Sequence, residues 1–200
     1  MDQVIEIRRK GGVATIRFLS GETLRVPSAV YLERRLHVHQ ALAPEAYRQY
    51  ALQRGYPHAL EAAMKFLALR ERSCQEVKNR LRRSCYDDAT IARVLDTLDA
   101  HHLVSDSRFA GEWVTNRARK YGRNRIAQEL RIKGVTRAEA QAALEALTEE
   151  TEFEQAVEQG KKIARRLQND AKKIAQALVR RGYAWGMARK AAEKALEDQG

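Results

Sequence analysis

Aromatic side chains are scarce in this 200-residue chain, at 6% of residues with 2 tryptophans and 4 phenylalanines. One thick hydrophobic core normally draws on such rings, so their scarcity argues for thin layers instead. Only 2 cysteines occur, Cys74 and Cys85. They fall at the start and just past the end of one expected helix, too far apart to bridge, which fits reduced thiols. No stretch approaches the roughly 20 apolar residues of a membrane span, and Met1 to Lys10 lacks the apolar run of a secretion signal. The expected setting is the cytoplasm, with no membrane contact.

Catalytic and metal-binding patterns are equally thin. His37, His39, His58, His101 and His102 make no HExxH-type spacing, and neither cysteine has a CxxC partner. His101 and His102 close a helix, where imidazoles meet its negative pole. Gly11-Gly12 sits between two strand patterns with no GxxxxGK after it, so it reads as a turn rather than a phosphate loop. No Ser-His-Asp or Cys-His arrangement is visible. The sequence therefore predicts no catalytic residue, no cofactor and no metal.

Positive charge is what the chain has in excess: 37 basic against 26 acidic residues, a formal +11. That balance favours a polyanionic partner, either nucleic acid or an acidic protein groove. The excess lies at the two ends, 9 basic against 5 acidic in residues 1–57 and 11 against 7 in residues 151–200.

The chain also repeats. A shift of 49 lays Leu81, Cys85, Ile91, Val94, Leu95 and Leu98 on Leu130, Gly134, Ala140, Ala143, Leu144 and Leu147. A shift of 48 lays Ile126, Leu130, Gly134 and Val135 on Ile174, Leu178, Gly182 and Tyr183. Three copies of one helical unit follow, and stacked units of this kind form long shallow surfaces. The predicted fold is mainly α: an elongated array of tandem three-helix repeats behind a small N-terminal antiparallel β-meander.

The head occupies residues 1–57. Alternating β-branched segments predict strands over Val4 to Arg9, Val13 to Leu19 and Glu22 to Val26, with an apolar face of Ile5, Ile7, Ala14, Ile16, Phe18, Leu24 and Val26. Ser28 is placed as the N-cap of a helix to about Leu36, and Pro44 in the first turn of another ending near Arg54, with Gly55 and Pro57 as boundary. Repeat 1 spans 58–104, repeat 2 spans 105–149 and repeat 3 spans 150–200. In repeat 1 the first helix carries Leu60, Met64, Phe66 and Leu67; Ser73 caps the second and Asp87 or Asp88 the third. In repeat 2, Ser105 is the cap candidate before Phe109 and Trp113, Gly122 breaks the chain, Gly134 stops the second helix, and Thr136 opens the third. In repeat 3 the first helix runs from about Glu150 to Gln168, the second stops at Gly182, and the third, from Trp185, is alanine-rich. Trp113 fits a core position, whereas Trp185 in its weak helix suits core or base stacking equally.

Two basic runs stand at matching places in successive repeats. The first holds Arg117, Arg119, Lys120, Arg123, Arg125, Arg131 and Lys133 around Glu129; the second holds Lys161, Lys162, Arg165, Arg166, Lys172, Lys173, Arg180 and Arg181 around Asp170. Lys162 with Arg166, and Lys161 with Arg165, are expected to point outward four apart, where like charges repel unless an anion intervenes. Arg117, Lys120, Arg123 and Arg125 flank the Gly122 break, where side chains are expected to fan outward. These four are the first candidates for contact.

Three segments carry a family likeness: Leu67, Arg70 and Ser73 leading into the second helix; the junction Leu103 to Ala110, with Asp106, Arg108 and Phe109; and Gly122, Arg125, Ile126, Glu129, Leu130, Lys133 and Gly134. Together they resemble the RecX regulatory family, most clearly from Leu67 to Val135. The strand-rich head resembles the N-terminal part of its longer members. The resemblance implies a non-enzymatic modulator of the recombinase RecA that binds in the groove of the RecA filament on single-stranded DNA. It further implies blocked filament growth or faster disassembly, with lowered recombinase, ATPase and co-protease activity. Arg70, Arg72, Arg108, Arg117, Lys120, Arg125 and Lys133 fall on the matched segments; the cations of the second run enter by charge alone. Asn124 stands where the family commonly has proline, and the third repeat matches weakly. A monomer is expected. The competing readings are a sequence-independent nucleic-acid binder on the same helices, and an enzyme built from distant segments.

Overall fold

A computed structural model describes residues 1–198. Backbone packing divides the chain into two units, Met1–Ser105 and Asp106–Gly200. The first begins with strands β1 (Asp2–Lys10), β2 (Val13–Phe18) and β3 (Thr23–Pro27), followed by helix α1 (Ser28–Glu33), a two-residue strand β4 (Ala41–Leu42) and helices α2 (Pro44–Leu67), α3 (Cys74–Arg83) and α4 (Asp88–Ala100). The second holds α5 (Asp106–Ala118), α6 (Arg123–Ile132), α7 (Arg137–Glu145), α8 (Glu149–Ala164), a 3-10 turn at Arg165–Leu167, α9 (Ala171–Arg180) and α10 (Trp185–Glu197).

The meander is present, but the sheet has four strands in the order β3-β2-β1-β4. β4 pairs only Leu42 with Asp2 and Ala41 with Gln3, too short a segment to leave an alternating pattern. The apolar face also differs at one end. A bulge between Val4 and Glu6 shifts the register, so Val4 is fully buried and Ile5 turns to solvent. Ile7, Ala14, Ile16, Phe18, Leu24 and Val26 pack as expected, with Val30, Tyr31 and Tyr47 beneath them. Ser28 is not the cap of α1: that position belongs to Pro27, and the Ser28 hydroxyl instead accepts from Arg9 Nε at 3.0 Å.

The largest correction concerns Gly55 and Pro57. Both lie inside α2, which continues unbroken to Leu67. Tertiary packing overrides the local signal. A Cβ at Gly55 would meet Thr90 Oγ1 at 3.6 Å and Tyr86 Cδ1 at 3.8 Å, ordinary contact distances, which place α2 directly against the start of α4 here. The core face of α2 is therefore Ala59 and Ala63, with Leu60, Phe66 and Leu67 half-buried, while Met64 is exposed.

The repeat is visible atom by atom. Each second helix, α3, α6 and α9, has 10 residues and ends in the same backbone closure. Tyr86 N donates to Leu81 O at 3.3 Å, Val135 N to Leu130 O at 3.1 Å, and Tyr183 N to Leu178 O at 3.3 Å. Each such bond crosses one residue in the left-handed region: Cys85 at φ 63°, Gly134 at 82° and Gly182 at 94°. This is a Schellman closure three times over, and it explains why a cysteine aligns with two glycines. Among the described residues neither cysteine forms a disulfide.

The caps agree with the reading in most places. Ser73 accepts from Glu76 N and Asp87 from Thr90 N, and Thr136 with Glu139 forms a reciprocal capping box; Asp170, not singled out from the sequence, caps α9 by accepting from Lys173 N. In α10 the buried side chains are Ala188, Ala191, Ala192 and Ala195. A Cβ on Gly160 of α8 would come 3.0 Å from the Ala195 methyl, so α8 and α10 pack at backbone distance with little area covered.

Candidate functional site

Repeats 2 and 3 meet through backbone. The first N–H groups of α6 have no partners inside their own helix, and the last carbonyls of α9 likewise. Here they satisfy each other: Gly122 N donates to Arg181 O at 3.0 Å and Asn124 N to Gly182 O at 3.2 Å. Asn124 thus supplies an N–H that proline lacks. Neither glycine admits a side chain. A Cβ on Gly122 would lie 2.5 Å from Tyr183 N, and one on Gly182 would lie 2.5 Å from Arg125 N.

Buried polar groups complete this seam. Glu152 of α8, 6% exposed, accepts from the Arg123 backbone N–H at 2.8 Å and pairs with its Nε at 3.4 Å. That places a carboxylate at the positive end of α6. Arg123 also donates through Nη2 to Leu147 O. Gln159 donates to Arg119 O at 2.9 Å and accepts from Arg181 Nη1. The Tyr183 hydroxyl is buried without a hydrogen-bond partner, and burial pushes it up to about 12.

Next to the seam, one carboxylate organises a stack of rings and cations. Glu129 accepts from Arg117 Nε at 2.7 Å and Nη2 at 2.6 Å, from Trp113 Nε1 at 3.1 Å and from Arg125 Nε at 3.3 Å. The Arg117 hydrogen bonds, more than any other cause, hold the Glu129 carboxyl below its ordinary range. Arg117 lies 4.3 Å from the centre of the Tyr121 ring and Arg125 4.1 Å from it, while Lys133 lies 5.0 Å from that of Trp113. Trp113 itself stacks on Phe109 with centroids 5.5 Å apart, so it is a half-buried structural ring. Trp185, 55% exposed, is not.

The predicted cations therefore divide into two groups. Arg117, Arg123 and Arg125 do not fan outward; they turn back onto Glu129 and Glu152 because those carboxylates lie within reach. Arg181 is held by Gln159. Lys161 does not point freely outward either: it pairs with Glu158 at 3.2 Å and Asp198 at 2.9 Å. Lys173 pairs with Asp170 at 3.4 Å. In the first unit, Arg70 pairs with Glu76 at 3.4 Å, and Arg72 lies 4.1 Å over the Phe66 ring with its basicity lowered, chiefly by burial. Arg108 is exposed on α5. The second group comprises Arg119, Lys120, Arg131, Lys162, Arg165, Arg166, Lys172 and Arg180, all exposed. Among the described residues none of these eight side chains has an ion-pair or hydrogen-bond partner.

Sequence reasoning missed the apolar component. An open cleft of about 420 Å³ is lined by Asn124, Arg125, Gln128, Ile132, Val179 and Arg180, among others. Ile132 is 69% exposed and Val179 38%. Ile132 stands two residues past Leu130, off the buried stripe, and that offset was the available signal. Among the described residues no group of three or more His, Cys, Asp or Glu could hold a metal, and no helix is long and apolar enough to cross a membrane. The arrangement offers an open, cationic, partly apolar surface.

Comparison with known proteins identifies this architecture. Residues 59–98 match the family model of the first three-helix domain of RecX, and residues 105–144 that of the second. The regulatory protein RecX of Clostridioides difficile is 32% identical over 148 residues, covering 70% of this chain and 69% of its own. That of Mycobacteroides abscessus is 32% identical over 179 residues, 82% of this chain and 84% of its own. A crystal structure of regulatory protein RecX superposes with a TM-score of 0.66 at 20% identity over 96% of this chain and all of that one, and RecX from Lactobacillus salivarius with 0.64 at 23% over 72% and 98%. Those two likenesses establish the fold. With both helical models matched in order and relatives about a third identical over more than two thirds of their length, the chain belongs to the RecX family of regulatory proteins.

Proposed function

We propose that this protein regulates RecA in the cytoplasm by lying along the RecA filament on single-stranded DNA, where it stops growth or promotes disassembly. Recombinase, ATPase and co-protease activities fall as a result. One observation carries the reading: eight exposed cations without acidic partners, in two successive repeats of one packed unit. Unpaired cations at this density repel one another and are stabilised by an external anion. The cleft beside Arg180 favours a protein surface over bare nucleic acid, because Ile132 and Val179 offer a seat for an apolar side chain that phosphates lack.

The test is RecA ATPase on single-stranded DNA with increasing amounts of this protein. Inhibition below one molecule per RecA protomer is expected, as befits a protein acting on filament growth. No effect at equimolar protein contradicts the proposal. Inhibition that tracks affinity for free DNA, with a steep salt dependence, would favour the sequence-independent nucleic-acid binder instead.

A further inference from the structure

The head of the chain has a charged face that the helical repeats do not explain. Strand register places Arg8 opposite Thr15 and Thr15 opposite Arg25, with Glu6 opposite Arg17 and Arg17 opposite Thr23 in the neighbouring row. Side chains on one face of adjacent strands stand about 5 Å apart. The inner face of these strands is the apolar core, so Arg8, Arg17 and Arg25 share the outer face, and all three are exposed. Ile5 joins them, brought outward by the bulge.

The acids of the head are accounted for one by one. Glu6 alone lies on this face, and it is shared by Arg8 and Arg17. Asp2 is held by the Ser20 hydroxyl and backbone, Glu22 by Arg48, Glu33 by Arg54 and His58, and Glu45 by Arg48 and Gln49. Arg25 and Lys10 have no acidic partner among the described residues. A single carboxylate thus faces three arginines, with Lys10 at the end of the same strand. Arg17 is the diagonal neighbour of both Arg8 and Arg25, with threonine or Glu6 directly opposite each arginine, so the face holds a net positive charge that a polyanion would complement.

We infer that the outer face of the β1-β2-β3 sheet is a nucleic-acid surface, binding the phosphate chain of a single strand independently of sequence. Arginine guanidinium groups with the Thr15 and Thr23 hydroxyls are donors suited to phosphate oxygens. The face carries no aromatic ring, so base stacking contributes little and salt dependence dominates. This assignment stands apart from the RecA reading, which uses the helices of the second unit.

The experiment uses the full chain and a fluorescently labelled oligo(dT), with anisotropy followed across a salt series. Replacing Arg8, Arg17 and Arg25 together by Gln should make the slope of log affinity against log salt shallower by about 2, at roughly 0.7 per phosphate contact. The triple Lys replacement should retain the wild-type slope. Glu6→Gln frees Arg8 and Arg17 and should tighten binding severalfold, a gain that misfolding cannot mimic. Wild-type slope and affinity in the triple Gln variant, or no gain from Glu6→Gln, overturns the assignment. So does a triple Gln variant that loses binding to a poly-glutamate chain while keeping the oligo(dT), which would mark an acidic protein as the partner.

Discussion

Residues 117–133 and 161–181 read alike as strings of cations around one acid, yet they differ in the folded chain. Among the described residues the first holds most of its cations on partners, with Arg119, Lys120 and Arg131 free, while the second leaves most of its own free, with Lys161, Lys173 and Arg181 held. In the first run Arg117, Arg123 and Arg125 turn inward to Glu129 and Glu152, with Trp113 and Tyr121 stacked among them. In the second, Lys162, Arg165, Arg166, Lys172 and Arg180 face solvent with no acid in reach. Partner supply decides the outcome. The first run has a half-buried carboxylate within four residues of Arg125 and rings on either side; in the second, Asp170 is occupied in capping α9 and pairing with Lys173, and Glu158, Asp198 and Gln159 are taken up by Lys161 and Arg181. A desolvated carboxylate must be paired, so it recruits whichever arginines are near. Charge density along the sequence therefore does not distinguish a structural cation from a free one.

The contrast can be broken most forcefully at the seam beside the first run. Gly182→Ala puts a Cβ at φ 94° and against Arg125 backbone, and should lower stability by about 2–4 kcal/mol, read by thermal or denaturant melting. A melt within experimental error of wild type would mean that the seam does not hold the repeats together. A smaller effect is expected from Glu129→Gln, which removes the charge that binds Arg117 and Arg125. A loss of about 1–2 kcal/mol is expected. Because the Glu129 carboxyl is held below its ordinary 4.5, its contribution is present above that pH and lost as pH falls through the lowered value. The wild type should therefore lose melting temperature on acidification below 4.5, and the Gln variant should lose less.

Smaller still is the effect expected at Tyr183. Its hydroxyl is buried with no hydrogen-bond partner, so Tyr183→Phe should leave stability equal or up to about 1 kcal/mol higher. A clear destabilisation would reveal a partner for that hydroxyl. The least effect on folding belongs to the second run: Lys162, Arg165, Arg166 and Lys172 changed together to Gln should stay within about 0.5 kcal/mol of wild type. A large loss there would erase the distinction between the two runs.

The periodic parts of the fold were legible in the letters. Leu81, Leu130 and Leu178 recur at nearly one spacing and specify the same helix, and Gly134 and Gly182 announced its closure in two repeats, whereas Cys85 carries that closure without the glycine signal. Ser73, Asp87 and Thr136 announced their helices because capping is a local interaction. What depends on distant residues was not legible. Gly55 and Pro57 lie inside α2, which packs against α4; β4 exists because β1 offers an edge; Arg123 meets an acid 29 positions away. The candidate cations were found by composition, but their division into paired and free was invisible, since it is set by Glu129 and Glu152. Ile132 and Val179 were missed because an exposed apolar residue matters only once its neighbours are known.

The central claim is that the cations left without partners carry the regulatory contact while the paired ones carry the fold. Its most direct test compares inhibition of RecA ATPase on single-stranded DNA by the wild type and by the variant in which Lys162, Arg165, Arg166 and Lys172 are Gln, with melting followed in parallel. The account predicts a native melt and inhibition weakened at least about tenfold, the equivalent of roughly 1.4 kcal/mol. A native melt with undiminished inhibition would contradict it.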